Sequence, residues 1–388
     1  MNIVSLDQVN QFVLRKQYLI NKADNVSIVR VVRSICGLHA TSATTPYLSL
    51  FSRVRNFKKK TLDEELYQKK NLGKIRCIRK TVFVLSKDVI PIAFAATNKM
   101  VEPVSEKYSK YLSISKDEYE ETSKAIRSLL YKRGMTALEI KKTLGRKKSV
   151  SPIVNLMCDQ GLLIRGPPRK DWKSSTHTYL LFNEYFPDMD LASIRASDAQ
   201  ALIVGKYLTS FGPVTEEDIT WWTGFPKRQI QQILKKIYDT VFQLRIKGIN
   251  RKYLMLRSEE ELLKNEGSLN DPLINLLPSL DPYIMGYKNR ERYLEPKRYY
   301  YVFDRSGNST STILLNGRVI GIWDFEDPLI KIFLFDKVQT KILEEICRKA
   351  IELGSFISGK EAQLKECSSM THLLKRRVGG FMTPLKNC

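Results

Sequence analysis

Ser197-Asp198-Ala199-Gln200, continued by Ala201, Ile203, Val204, Tyr207, Leu208 and Phe211 and stopped by Gly212-Pro213, is the stretch that decides the fold. Its apolar residues recur at three- and four-residue steps, which predicts a helix capped by Ser197 with Gln200. Thr215 with Asp218 opens a second, short helix ending at Trp221-Trp222 and Gly224. Pro226 starts a third, with Ile230, Ile233, Leu234 and Ile237 as its buried stripe. Residues 241–245 and 252–256 read as strands around a turn at Gly248-Ile249-Asn250. Three helices followed by a hairpin is the order of a winged helix, whose third helix can enter the major groove.

Outward from that stretch the same order repeats. Upstream, Ser115 with Glu118 caps a helix to Tyr131, Thr136 with Glu139 caps a short one, and Ser151-Pro152 starts a third. Residues 162–165 and 177–181 follow as strands, with a basic wing at Gly166-Pro167-Pro168-Arg169-Lys170-Asp171-Trp172-Lys173 between them. A looser copy comes first. Ser5 with Gln8 opens one helix, 26–38 and 46–54 form the next two, and a helix capped by Thr61 with Glu64 is inserted before strands at 74–78 and 81–85. A helix over 88–98 closes that copy. After Leu262 the texture turns β-rich, with strands at 298–303, 311–315, 318–323 and 329–335 and an amphipathic helix over 338–353. Asn316-Gly317 marks a tight hairpin. The expected architecture is α+β: winged helices over 1–112 (with inserted helices), 113–190 and 191–265, then a β-rich C-terminal domain over 266–388 with a packing helix.

The charge is lopsided: 64 Lys and Arg against 41 Asp and Glu give +23 over 388 residues. The excess recurs in Arg53/Arg55/Lys58/Lys59/Lys60, Lys141/Lys142/Arg146/Lys147/Lys148, Lys227/Arg228, Lys288/Arg290/Arg292 and Lys375/Arg376/Arg377. A positive field spread along the whole chain favours a long polyanion, and double-stranded DNA is the expected partner. The six cysteines and three histidines are scattered without zinc-site spacing, so no metal is expected and the cysteines read as plain thiols. No apolar run approaches membrane-spanning length and no signal-peptide pattern opens the chain, which points to a cytoplasmic, nucleoid-associated protein. No cofactor motif survives inspection. Gly354–Lys360 has phosphate-loop spacing, but Glu361 stands where a Ser or Thr should hold magnesium and a helix precedes it where a strand should.

One polar turn stands apart. Ile28, Val31, Val32, Ile35 and Leu38 mark a buried helical stripe, which gives way after Gly37 to His39-Ala40-Thr41-Ser42-Ala43-Thr44-Thr45-Pro46-Tyr47. His39 there can cap the helix C-terminus or serve chemistry. Lys227 and Arg228 open the third helix of the clearest copy with the right groups for phosphates and base edges. Arg76, Arg79 and Lys80 beside Thr81 make a second candidate surface. Asp281 and Arg290 can pair with each other, or Arg290 can hold a phosphate.

Leu277-Pro278-Ser279-Leu280-Asp281-Pro282-Tyr283 with Gly286 and Arg290, and Asn316-Gly317-Arg318-Val319-Ile320-Gly321-Ile322-Trp323, resemble segments of the tandem winged-helix DNA glycosylases of the AlkZ-like type. Tyr207-Leu208, Phe211-Gly212-Pro213, Asp218 and Trp222 resemble that family's third winged helix, and Arg79-Lys80-Thr81 resembles an Arg-Gly-Thr in its first domain. The resemblance covers nearly the whole chain. It implies a basic concave surface on duplex DNA and monofunctional excision of alkylated or crosslinked purines by hydrolysis of the N-glycosidic bond. The family's catalytic motif follows a Gly-Leu and reads Gln-x-Gln or Gln-x-Asp, whereas this chain reads Gly37-Leu38-His39-Ala40-Thr41. His39 is therefore the expected acceptor of a water proton and Thr41 the group that orients that water. The expected DNA contacts are Arg53, Arg76, Arg79, Lys80, Thr81, Arg169, Lys170, Lys227, Arg228, Asp281, Tyr283, Lys288 and Arg290, in a protein acting as a monomer. The alternative is a non-catalytic winged-helix DNA binder, a transcriptional regulator or a repair-associated recognition protein.

Overall fold

The computed structural model describes residues 2–24, 27–267, 269–373 and 385. The fold is α+β, and the chain divides into two compact units: Met1–Asn25, Leu48–Arg55 and Tyr207–Cys388 form one, Val26–Tyr47 and Asn56–Lys206 the other. The basic run Lys375/Arg376/Arg377 lies outside the described residues.

In the second unit, Leu38–His39, Val82–Ser86 and Leu72–Arg76 form a sheet in that order, antiparallel throughout. A further set follows: helices Lys116–Leu130, Ala137–Thr143 and Ser151–Asp159, then the hairpin Leu163–Pro168 and His177–Leu181. Thr136 and Glu139 form a reciprocal capping box, and Ser115 accepts from the Glu118 N–H. Each such cap contributes about 1 kcal/mol. Ile126, Leu130, Ile140, Ile153, Val154 and Met157 pack against Leu163 and Leu181 to give this set its core.

The helix Ile90–Tyr111 runs well past the expected stop at Asn98. Its buried face beyond that point is Val101, Ser105 and Ser109, largely small hydroxylated residues that carry no apolar period. The helix expected to reach Leu38 instead ends at Ser34. Cys36 (φ 58) and Gly37 (φ 92) turn the chain there, and Leu38–His39 becomes a strand.

In the first unit, helices Ala196–Phe211 (which begins within the other unit's residues), Glu216–Thr223 and Lys227–Lys236 precede the antiparallel pair Val241–Ile246 and Tyr253–Leu256. Asn2–Val4 adds a parallel edge strand, which carries no alternation long enough to be read in sequence. The C-terminal sheet has the order Gln363–Glu366, Leu329–Leu334, Arg318–Glu326, Thr312–Leu315, Ile274–Leu277, with helix Thr340–Ser358 packed on it. Asn316 (φ 50) and Gly317 (φ 79) make the expected two-residue turn. Residues 298–303, expected as a strand, are helical: Pro296–Arg298 is a 3-10 turn leading into Tyr299–Val302. The aromatic run mimics β propensity, but Pro296 at the first helical position presets the helix.

Candidate functional site

The polar turn is built by the sheet of the second unit. A Cβ on Gly37 would lie 2.5 Å from Leu85 Cδ2 and 2.9 Å from the Val84 carbonyl oxygen, so glycine lets the chain press onto Val82–Ser86. Leu38 then pairs with Val84 and His39 with Phe83. The His39 ring lies 4.3 Å from the Phe83 ring and is 3 % exposed. Burial, and then the Arg79 charge, push its pKa down to about 3. The imidazole is thus neutral at physiological pH, and its Nδ1 has no hydrogen-bond partner among the described residues. Thr41, two residues on, is exposed. The Ser42 and Thr44 hydroxyls meet at 3.1 Å.

Beside this strand the chain turns at Ile78–Lys80, where Arg79 (φ 50) and Lys80 (φ 60) both occupy the left-handed region. The Lys80 N–H donates to the Cys77 carbonyl and the Thr81 hydroxyl to that of Ile78. Lys80 is exposed, and Arg79 and Thr81 are half-buried. Arg76, also expected on DNA, is half-buried, paired with Asp159 at 2.8 Å and donating to the Ser105 hydroxyl.

A second group of side chains escaped the sequence reading. Tyr47 Oη donates to Asp63 Oδ1 at 2.5 Å, and the Lys74 ammonium donates to the Tyr67 phenol. Asp63 closes the helix Lys59–Asp63 where it passes into a π-helical turn, Glu64–Gln68. Such turns are enriched at functional sites. Burial raises the Asp63 pKa, against the opposing pull of Tyr47 and Lys74. Burial brings Lys74 down to about 8, with Asp63 opposing the change and Arg165 adding to it. His177 is pushed down to about 4 by burial, Arg165 and Lys74. Nothing local in sequence distinguishes Asp63 from a solvated helix-end acid; the π turn and the partner from residue 47 are tertiary facts.

The basic wing leans on the same group. Trp172 packs edge-on against Tyr47 at 5.2 Å, Lys59 sits 4.5 Å over the indole, and Lys173 lies 5.8 Å from it. Arg169 and Lys170 are exposed on this wing, Arg169 reaching Glu139 at 3.0 Å.

In the first unit, Lys227 and Arg228 are exposed in the first turn of Lys227–Lys236, and Lys288 is exposed. Four residues expected on DNA are instead buried. Arg53 and Asp281 are each 0 % exposed and paired with each other, so neither reaches a phosphate. Tyr283 is also sealed in, its hydroxyl donating to the Gly317 carbonyl at 2.9 Å. Arg290 donates to Tyr299 Oη and the Gly307 carbonyl, with its guanidinium 3.4 Å from the Phe303 ring centroid. Their sequence neighbourhood looked special because it builds the interior.

Among the described residues no group of three or more His, Cys, Asp and Glu side chains could hold a metal ion. No described helix is long and apolar enough to cross a membrane. Cys77, Cys158 and Cys347 are free thiols, whereas Cys367 is disulfide-bonded, contrary to the plain thiol expected.

A family model described as DNA glycosylase AlkZ-like matches residues 32–328. Among solved structures, the Streptomyces sahachiroi DNA glycosylase AlkZ superposes with a TM-score of 0.76, covering 95 % of this chain and 100 % of that one at 19 % identity. At that identity the likeness speaks to the fold. No curated protein matches the sequence.

Proposed function

The chain belongs to the AlkZ-like DNA glycosylase family, and from that premise we propose that it is a DNA-repair glycosylase hydrolysing the N-glycosidic bond of alkylated or crosslinked purines in duplex DNA. The observation that carries this reading is the family match itself, which spans 32–328 and so includes Gly37–Thr41. Alkylation of a purine ring nitrogen makes the base cationic and a good leaving group. The protein's remaining tasks are to hold the duplex and to place a water.

His39 and Thr41 are assigned to that water. An imidazole with a pKa near 3 is a weak base, and efficient general bases have pKa values near the working pH. His39 therefore acts as a neutral, fixed polar group beside the water, and the exposed Thr41 hydroxyl orients that water. The phosphates are gripped by Arg79, Lys80, Thr81, Arg169 and Lys170, and by Lys227, Arg228 and Lys288, all at least partly exposed. We further read 1–112, 113–190 and 191–265 as winged-helix modules and 266–388 as the β-rich closing domain, working as a monomer at the nucleoid.

The test is incubation of the protein with methylated and with crosslinked duplexes, scoring free base. Release is the expected result. Binding without release would return the non-catalytic alternative, and a binding curve insensitive to salt would remove both, because phosphate contacts release counterions.

A further inference from the structure

Residues 169–176, the wing between strands Leu163–Pro168 and His177–Leu181, close into a tight tip. The Arg169 N–H donates to the Thr176 carbonyl at 2.8 Å and the Ser174 N–H to that of Asp171 at 3.0 Å, which makes Asp171-Trp172-Lys173-Ser174 a β-turn. Trp172 is the one large apolar residue in this segment, and it is half-buried. It folds back edge-on against Tyr47 at 5.2 Å, with the Lys59 ammonium 4.5 Å and the Lys173 ammonium 5.8 Å from its ring centroid. From this geometry we propose that Lys59 and Lys173, gathered at one indole from distant segments, grip a single DNA phosphate, and that Trp172 is the positioning residue that brings them together. The inference deepens the glycosylase reading above and rests on its claim that this wing lies on DNA.

Three observations support the assignment. Two ammonium groups held at one ring repel each other: the Lys59 pKa is lowered by burial and then by Lys173, with Asp171 opposing. A phosphate accepting hydrogen bonds from both relieves that repulsion, and lysine binds phosphate as a point charge. Asp171, the acid at the tip, is engaged in shaping the turn, its Oδ1 accepting the Lys173 N–H at 2.9 Å. Finally, the platform under the indole is fixed. Tyr47 is buried and its hydroxyl donates to Asp63 Oδ1 at 2.5 Å, and Asp63 ends the helix Lys59–Asp63 that carries Lys59 at its start. One hydrogen bond thus ties the ring beside Trp172 to the helix that presents Lys59.

The experiment measures the affinity of the full-length protein for an undamaged duplex from about 50 mM to about 200 mM salt. The unsubstituted chain is compared with Lys59→Gln, Lys173→Gln, the two combined, Trp172→Ala and Trp172→Phe, with melting temperature and base release from an alkylated duplex followed alongside. Each lysine variant should lower the slope of log affinity against log salt by about one. Trp172→Ala removes no charge, yet should lower the slope by about one as well, because the two ammonium groups part. Trp172→Phe keeps an aromatic platform and should retain most of the slope. A merely structural tryptophan would lower the melting temperature and leave the slope alone. Should Trp172→Ala fail to fold, the lysine pair decides: sharing one phosphate, the two substitutions combined should cost less affinity than the sum of the singles in log units, and additive losses would overturn the shared grip. An unchanged slope in Trp172→Ala or in both lysine variants overturns the clamp, and base release by the unsubstituted protein then leaves the glycosylase reading intact. No base release with the slopes as expected overturns the glycosylase reading and keeps the clamp.

Discussion

Arg53 and Asp281, 228 residues apart in sequence, form a two-pronged ion pair, Nη1 to Oδ2 at 2.8 Å and Nη2 to Oδ1 at 2.7 Å, with neither side chain exposed. The Ser49 hydroxyl also donates to Oδ2 and the Tyr283 N–H to Oδ1, so the buried carboxylate is well satisfied, while Arg53 Nε has no partner among the described residues. Removing one partner strands the other. Asp281→Asn is expected to lower stability by about 3–5 kcal/mol, read by urea denaturation. A loss confined to DNA affinity, with stability unchanged, would restore the surface role that burial denies these residues.

His39 ties stability to pH. Its pKa falls from 6.5 unfolded to about 3 folded, so below pH 6.5 the unfolded chain binds a proton that the folded chain does not. His39's contribution is full above 6.5 and drains away as pH falls toward 3. His39→Gln lacks this titration, so the stability gap between the two proteins should narrow on acidification. Equal gaps at about pH 7 and about pH 4.5 would contradict a neutral buried imidazole.

Lys80 sits at φ 60, where a side chain costs roughly 1 kcal/mol relative to glycine. Lys80→Gly should therefore hold or raise the melting temperature while weakening DNA binding, a split that separates backbone strain from phosphate contact. A destabilised variant with unchanged affinity would mean that the lysine supports the turn itself.

Arg169 and Lys170 on the wing should each carry one phosphate. Replacing either with Ala is expected to reduce the slope of log affinity against log salt by about one, uniformly across sequences. An unchanged slope would remove the wing from the interface.

Much of this fold was legible from local chemistry. The boxes Thr136/Glu139 and Thr215/Asp218 cap helices in the structure as their spacing demands. Elements whose signal is tertiary were not legible. The buried face of Ile90–Tyr111 is built from small hydroxylated residues beyond Asn98, and Tyr299–Val302 has strand-like composition in a helical turn. The site divides along the same line. His39 drew notice through rarity and its place at a helix end, but Tyr47–Asp63 and Tyr67–Lys74 exist only because distant segments meet. The same blindness placed Arg53, Asp281, Tyr283 and Arg290 on DNA: a segment rich in charge and aromatic rings reads alike whether it faces a ligand or a core.

The most direct test of the central claim compares the intact protein with His39→Ala on one methylated duplex, counting free alkylpurine over time. The expected result is release by the intact protein and a loss in the variant of about a hundredfold, with duplex affinity unchanged. Equal release by both would contradict the placement of the reactive water at His39, and none from either would contradict base excision altogether.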